Sequence, residues 1–199
     1  MVRVLRIPLL LCCWWLFFSA SPQEPTFESL MKRAGMVFTP PDGLKPVSPI
    51  ANDQMNWEAA YRHPRKKFEV RYAIRPMDHQ LEEYETAEQN KKEGDVNIHP
   101  NKWFRQVFEM TVLNVSGGQL PDYAIFSSDA VKKEFNGDWG ATVTIPPKGD
   151  FAGGYKFCLF VFIHKDDKGD GYVFYMADDK DLLLESMKPI FHSLKFLMD

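Results

Sequence analysis

The sequence predicts an α+β fold, with a largely antiparallel central sheet flanked by helices. Three observations predict it. Phe68, Val70, Tyr72 and Ile74 alternate with Glu69, Arg71 and Arg75, the period-two pattern of a half-buried strand. Two nearly continuous apolar runs, residues 155–164 and 171–176, flank a polar turn, as in a hairpin buried on both faces. Apolar stripes at spacings of three and four, within residues 27–34, 103–110, 131–135 and 183–194, supply helices to cover those faces.

The elements follow in order. Phe27, Leu30, Met31 and Ala34 make a short amphipathic helix, capped by Thr26 and ended by Gly35. Residues 36–39 form a short strand that runs into a proline-glycine turn at 40–43. Residues 44–55 show no clear periodicity. Residues 57–61 and 67–75 pair as a hairpin across the turn at 63–66. The alternation assigns Arg71 and Arg75 to a solvent face, with no ligand role. Residues 78–100 are highly charged and read either as a weak exposed helix or as an insertion.

Asn101 is placed to cap a helix whose apolar face comprises Trp103, Phe104, Val107, Phe108 and Met110, and Gly117 and Gly118 end it. Asn114 and Ser116 match a glycan acceptor, which matters only in a eukaryotic source. Residues 127–135 form a helix capped by Ser127 or Ser128 and closed by Asn136 and Gly137. Residues 140–145 are a strand stopped by Pro146 and Pro147. After the central hairpin, Leu183, Met187, Ile190 and Leu194 form a last helical stripe, kinked or restarted at Pro189.

The first segment reads as an address. Arg3 and Arg6 precede an apolar stretch at 7–18, and small residues follow at Ser19, Ala20 and Ser21. These are the three parts of a secretory signal peptide over residues 1–21. The stretch is short of the ~20 residues that span a bilayer. Residues 22–34 then form a leader and the short helix, and residues 35–199 a single α+β domain. Export to the periplasm or outside the cell is expected. Two alternatives stay open: an uncleaved amino-terminal membrane anchor, and lipidation at Cys12 or Cys13, although Leu11 is not the small residue that normally precedes a lipidated cysteine.

The whole chain has 199 residues and a formal net charge of −3, which gives no basic surplus for nucleic acid. Removal of residues 1–21 leaves 22 basic against 27 acidic residues, a formal −5. It also leaves Cys158 as the sole cysteine, so no internal disulfide can form and the core must suffice.

The order and punctuation of these elements resemble the PsbP-like α/β/α sandwich. The resemblance spans roughly residues 35–197. It rests on the strand and turn at 38–43, the early hairpin, the central helix, the two long apolar strands, and the terminal run from His192 to Phe196. The added helix at 26–34 and the charged segment at 78–100 depart from it. The resemblance implies a non-catalytic binding or assembly role, and a fold alone does not fix function.

Patterns that would carry chemistry are sparse. His63, His79, His99, His164 and His192 lie far apart in sequence, and no His-Glu-x-x-His pattern occurs, so no metal or cofactor is implied. Residues 166–171 superficially resemble a calcium loop. Lys168 occupies its third position and Ala177 its twelfth, so a hairpin turn is expected instead, with Gly169 and Gly171 at positive φ. No Gly-x-Ser-x-Gly elbow or phosphate-binding loop is present. Cys158 falls within a buried strand and reads as core.

Trp139, Phe151 and Tyr155 stand on or near loops beside charges, so they are weak candidates for a binding surface. The expectation is an exported non-catalytic domain that binds a protein partner or a small ligand. The alternative is an envelope enzyme, a hydrolase with a site assembled over long range from groups such as His164 and Asp170.

Overall fold

A computed structural model describes residues 25–198 of the chain. The segment at 1–21, expected to be a signal peptide, lies outside the described residues. The helices and strands form the mixed α+β arrangement expected. Seven strands make one antiparallel sheet, and two more make a short antiparallel ribbon.

Helix α1 (Phe27–Arg33) is capped by the Thr26 side chain, which accepts from the Ser29 amide, and Gly35 follows at φ 61°. Strand β1 (Met36–Phe38) leads through the proline-glycine turn to β2 (Lys45–Val47), β3 (Ala59–Arg62) and β4 (Phe68–Pro76). His63 organises the β3–β4 turn, its Nδ1 accepting from the Arg65 and Lys66 amides. Then come α2 (Asp78–Gln89), a 3-10 turn at Pro100–Lys102 and α3 (Phe104–Ser116). Strand β5 (Ala124–Ile125), α4 (Ser128–Phe135) and β6 (Trp139–Ile145) precede the central hairpin, β7 (Phe157–Lys165) and β8 (Gly169–Ala177). Helix α5 (Lys180–Met187), a 3-10 turn at Lys188–Ile190 and β9 (Leu194–Phe196) complete the order.

The large sheet runs β2-β3-β4-β8-β7-β6-β5. The long hairpin therefore sits at its centre, where its continuous apolar sequence requires it to be. One face carries Val70, Tyr72, Val161, Ile163, Val173 and Tyr175. Against it pack Leu30 of α1, Val131 and Phe135 of α4, Leu183 of α5, and the β1–β9 ribbon through Met36, Leu194 and Phe196. The other face carries Phe160, Phe162, Tyr172 and Phe174 and is covered by Phe108, Val112 and Val115 of α3, joined by Trp57 and Phe151. Burying each such side chain contributes roughly 1.5–3 kcal/mol.

The polar side of β4 does not face water. Its residues share a sheet face with Phe174 and Met176 across the β4–β8 register, and that is the face beneath α3. Glu69 and Arg71 are therefore buried, at 1% and 0% exposure, and of the polar set Arg75 alone is partly exposed.

The final helical stripe does not continue to Leu194. Helix α5 ends at Met187, Pro189 lies in a 3-10 turn, and Leu194 pairs with Phe38 as a strand. Tyr72 and Tyr175 anchor this segment: the Tyr72 hydroxyl lies 2.8 Å from the Ser193 Oγ, and the Tyr175 hydroxyl donates to the Ile190 and Phe191 carbonyls.

Asn101 does not cap α3. Trp103 stands at that cap without a side-chain bond, while the Asn101 side chain reaches the β7–β8 turn. Trp103 and Met110, expected on the covered face of α3, are exposed. In the central turn, Gly169 has positive φ as expected, but Asp167 rather than Gly171 is the other such residue, and Gly171 lies within β8. Strands β2, β5 and β9 carry no periodic signal of their own and exist through their partners.

A candidate ligand cleft beside a buried histidine

The register assembles one row of side chains across four strands. Arg75 pairs with Asp170, Asp170 with His164, and His164 with Trp139. Cross-strand partners share a face, so these four stand together at the end of the sheet that α3 begins to cover. His164 has no exposed surface and lies against the Phe104 ring at 4.6 Å. Its Nδ1 is 2.7 Å from Asp170 Oδ1, and its Nε2 is 3.0 Å from Asp166 Oδ1.

Burial by itself disfavours the imidazolium. The hydrogen bonds and charges of Asp170 and then Asp166 more than offset it, and the histidine pKa rises above its ordinary value. Protonated His164 donates to both carboxylates.

Asn101 holds this corner together. Its Nδ2 donates to Asp167 Oδ1 at 2.9 Å, and its Oδ1 accepts from the Asp167 amide at 3.1 Å. His99 caps the adjoining 3-10 turn and meets Tyr84 of α2 edge-on at 4.7 Å. Asn97 donates to Glu88 at 2.8 Å. The segment from 96 to 103 is thus tied to the hairpin turn on one side and to α2 on the other.

Helix α2 has no buried residue and joins the body through Arg33, which donates twice to Asp78 at 2.8 Å. Between α2 and the start of α3 remains a cleft of about 530 Å³. Tyr84 and Ala87 line it from α2; Val96, Ile98, Trp103, Phe104 and Val107 line it opposite. Glu83 and Asp170 contribute carboxylates. Val96, Ile98 and Trp103 are 84%, 50% and 47% exposed, a concentration of apolar surface at one opening.

The residues singled out from sequence divide between two places. Trp139 adjoins His164 and packs on Phe104 at 5.0 Å, so it supports the back of the cleft. Phe151 and Tyr155 are buried elsewhere, around Arg71. Arg71 Nε donates to Glu69 Oε1 at 2.6 Å and its Nη1 to the Phe151 carbonyl, while its guanidinium lies 4.2 Å from the Trp57 ring centroid. Glu69 Oε2 also accepts from Arg62 at 2.7 Å and from Tyr155 at 3.4 Å. This cluster pins the loop at 149–155 to β4.

Next to it is a second hollow, of about 740 Å³, lined by Trp57, Glu58 and Arg75. Its charges are already matched: Arg75 donates to Glu58 at 2.8 Å, and Glu58 accepts from the Ile74 amide.

The His164–Asp170 pair was visible in the sequence only as two scattered groups. The cleft walls were missed. Their signal was the pair of apolar residues, Val96 and Ile98, within the charged stretch. Among the described residues, no group of three or more His, Cys, Asp or Glu side chains is arranged to hold a metal ion. The Cys158 thiol is buried in β7, and burial pushes its pKa far up. Compared with known proteins, the chain matches no family model, and no curated protein matches it.

Proposed function

We propose that this protein is an exported, non-catalytic binding domain whose cleft between α2 and α3 takes a small ligand with an apolar group. The observation that carries this reading is the concentration of exposed Val96, Ile98 and Trp103 around a cleft of about 530 Å³ with a buried carboxylate at its inner end. Pockets of roughly 300–1,000 Å³ with apolar walls and few polar groups are the usual form of small-molecule sites.

The arrangement of His164 favours binding over hydrolysis. A general base needs a free ring nitrogen within reach of substrate. Both nitrogens here face carboxylates, and the ring is buried. Its place is to orient Asp170. The order of elements, with its PsbP-like punctuation, agrees with a binding role.

Export rests on the basic, apolar and small-residue sequence of residues 1–21. Among the described residues, no helix is long and apolar enough to cross a membrane. Mass spectrometry of the protein made in its own cells tests this part. A mature amino terminus near Ser21 or Pro22, without lipid, is expected, and an intact or lipidated terminus overturns it.

The binding site is tested by screening a small library of apolar fragments with amide-resolved NMR. Shifts should concentrate at Val96, Ile98, Trp103 and Phe104, and Trp103→Ala should abolish them without lowering the melting temperature. Shifts elsewhere, or none at millimolar fragment, would refute the site.

A further inference from the structure

Resting on the reading of the cleft as a ligand site, its chemistry narrows the ligand class. Three aromatic rings, Tyr84, Trp103 and Phe104, are among the lining residues. The lining also contains two carboxylates, Glu83 and Asp170, and no lysine or arginine.

The charge around Asp170 leaves a negative excess. Protonated His164 faces two carboxylates, Asp166 and Asp170, and so balances only one of them. Arg75, the next residue in the row, is paired with Glu58 at 2.8 Å. The outer wall has the same sign. Helix α2 carries Asp78, Glu82, Glu83, Glu85 and Glu88 and contains no lysine or arginine; of these, Asp78 pairs with Arg33, Glu88 with Lys91, and Glu83 lies 3.3 Å from the exposed His79 ring nitrogen.

Aromatic faces attract cations through the ring quadrupole, and carboxylates at the edge of a partly desolvated cleft add to the attraction. An anion entering the same space would meet two like charges. We infer that the cleft selects a small organic cation, an amine or quaternary ammonium carrying an apolar group, with its charge toward the aromatic rings and carboxylates and its apolar part against Val96 and Ile98.

Three probes that share a phenethyl group test this on the full domain by calorimetry and amide NMR: phenethylammonium, its isostere phenethyl alcohol, and the slightly larger anion 3-phenylpropionate. The cation should bind about tenfold tighter than the alcohol, the scale of a partly desolvated cation–aromatic contact, and the anion weakest. Glu83→Gln, on an exposed side chain, should narrow the gap between cation and alcohol severalfold. Asp170→Asn should narrow it further, with unfolding curves confirming that the variant folds. Raising the salt concentration should weaken the cation alone.

Equal affinity for all three probes, with shifts still at Val96, Ile98 and Trp103, overturns cation selection and leaves the binding cleft standing. Preference for the anion also overturns it. No binding by any probe at millimolar concentration overturns both the selection and the site.

Discussion

Replacing Arg71 with Met removes a guanidinium while keeping most of the side chain's length. The wild-type side chain is 1% exposed, and its partner Glu69 is 2% exposed. The change deletes the 2.6 Å bond to Glu69, the bond to the Phe151 carbonyl and the contact with Trp57 at 4.2 Å. Removing one partner of a buried ion pair costs about 3–5 kcal/mol. Glu69 keeps Arg62 at 2.7 Å, so its charge is not stranded, and the loss belongs near the lower end. The Phe151 carbonyl, left without its donor, accounts for ~1–3 kcal/mol of that loss.

Glu69→Leu alone strands the arginine and should cost about as much. The double variant removes both charges and should lose only ~1–2 kcal/mol, because a buried pair replaced by apolar groups is nearly neutral and only the carbonyl stays unmet. The two sites should therefore be coupled by several kcal/mol. Urea unfolding followed by far-ultraviolet circular dichroism measures all four proteins. Arg71→Met within about 0.5 kcal/mol of wild type, the behaviour of a surface residue, would refute the burial and restore the alternating, half-wet strand.

Two further outcomes are expected. The folded pKa of His164 is raised, so its contribution to stability is full below the unfolded value near 6.5 and is lost as pH rises through the folded value. Asp170 is shifted up by burial despite His164, which has the same sign: the folded pair holds more proton than the unfolded chain. Asp166 and Arg75 are the other charges facing the pair, and Phe104 and Trp139 exclude water from it. Wild type should lose stability relative to His164→Gln from about pH 6.5 upward, measured as urea midpoints across that range, and a difference independent of pH would contradict this. Second, burial pushes the Cys158 thiol up and seals it within β7, so labelling by a thiol reagent should proceed only through global unfolding. Its rate should rise with urea in step with the unfolding constant, and rapid labelling in native buffer would place Cys158 near a surface.

Much of the fold was legible in local chemistry. Thr26, Ser127, Gly117 and Asn136 mark the helix ends they were expected to mark, because capping is settled by the backbone groups of one turn. The central hairpin was equally legible, since 155–164 and 171–176 are apolar on both sides of the strand and admit only a covered place in a sheet. Period two in β4 gave the right strand but the wrong environment for one side. Alternation separates two faces and cannot say that Trp57 and the loop carrying Phe151 and Tyr155 will cover the polar one. Glu69 and Arg71 are buried there because they neutralise each other and hold a distant loop, a contact between residues 80 apart in sequence.

The candidate site divides the same way. Sequence supplied His164, Asp170 and Trp139 as separate residues, while Val96 and Ile98 stand in a charged stretch that by itself assigns them no role. Only the antiparallel register set the first three in one row, and only the clamp from Asn101 to Asp167 brought the others beside them. Capping, turn formation and the burial of a continuous apolar run depend on neighbours along the chain, so the sequence by itself determined them. Which polar groups are dry, which apolar groups stay wet, and which carboxylates converge on one cleft depend on partners far away in the chain, and those the tertiary structure decided.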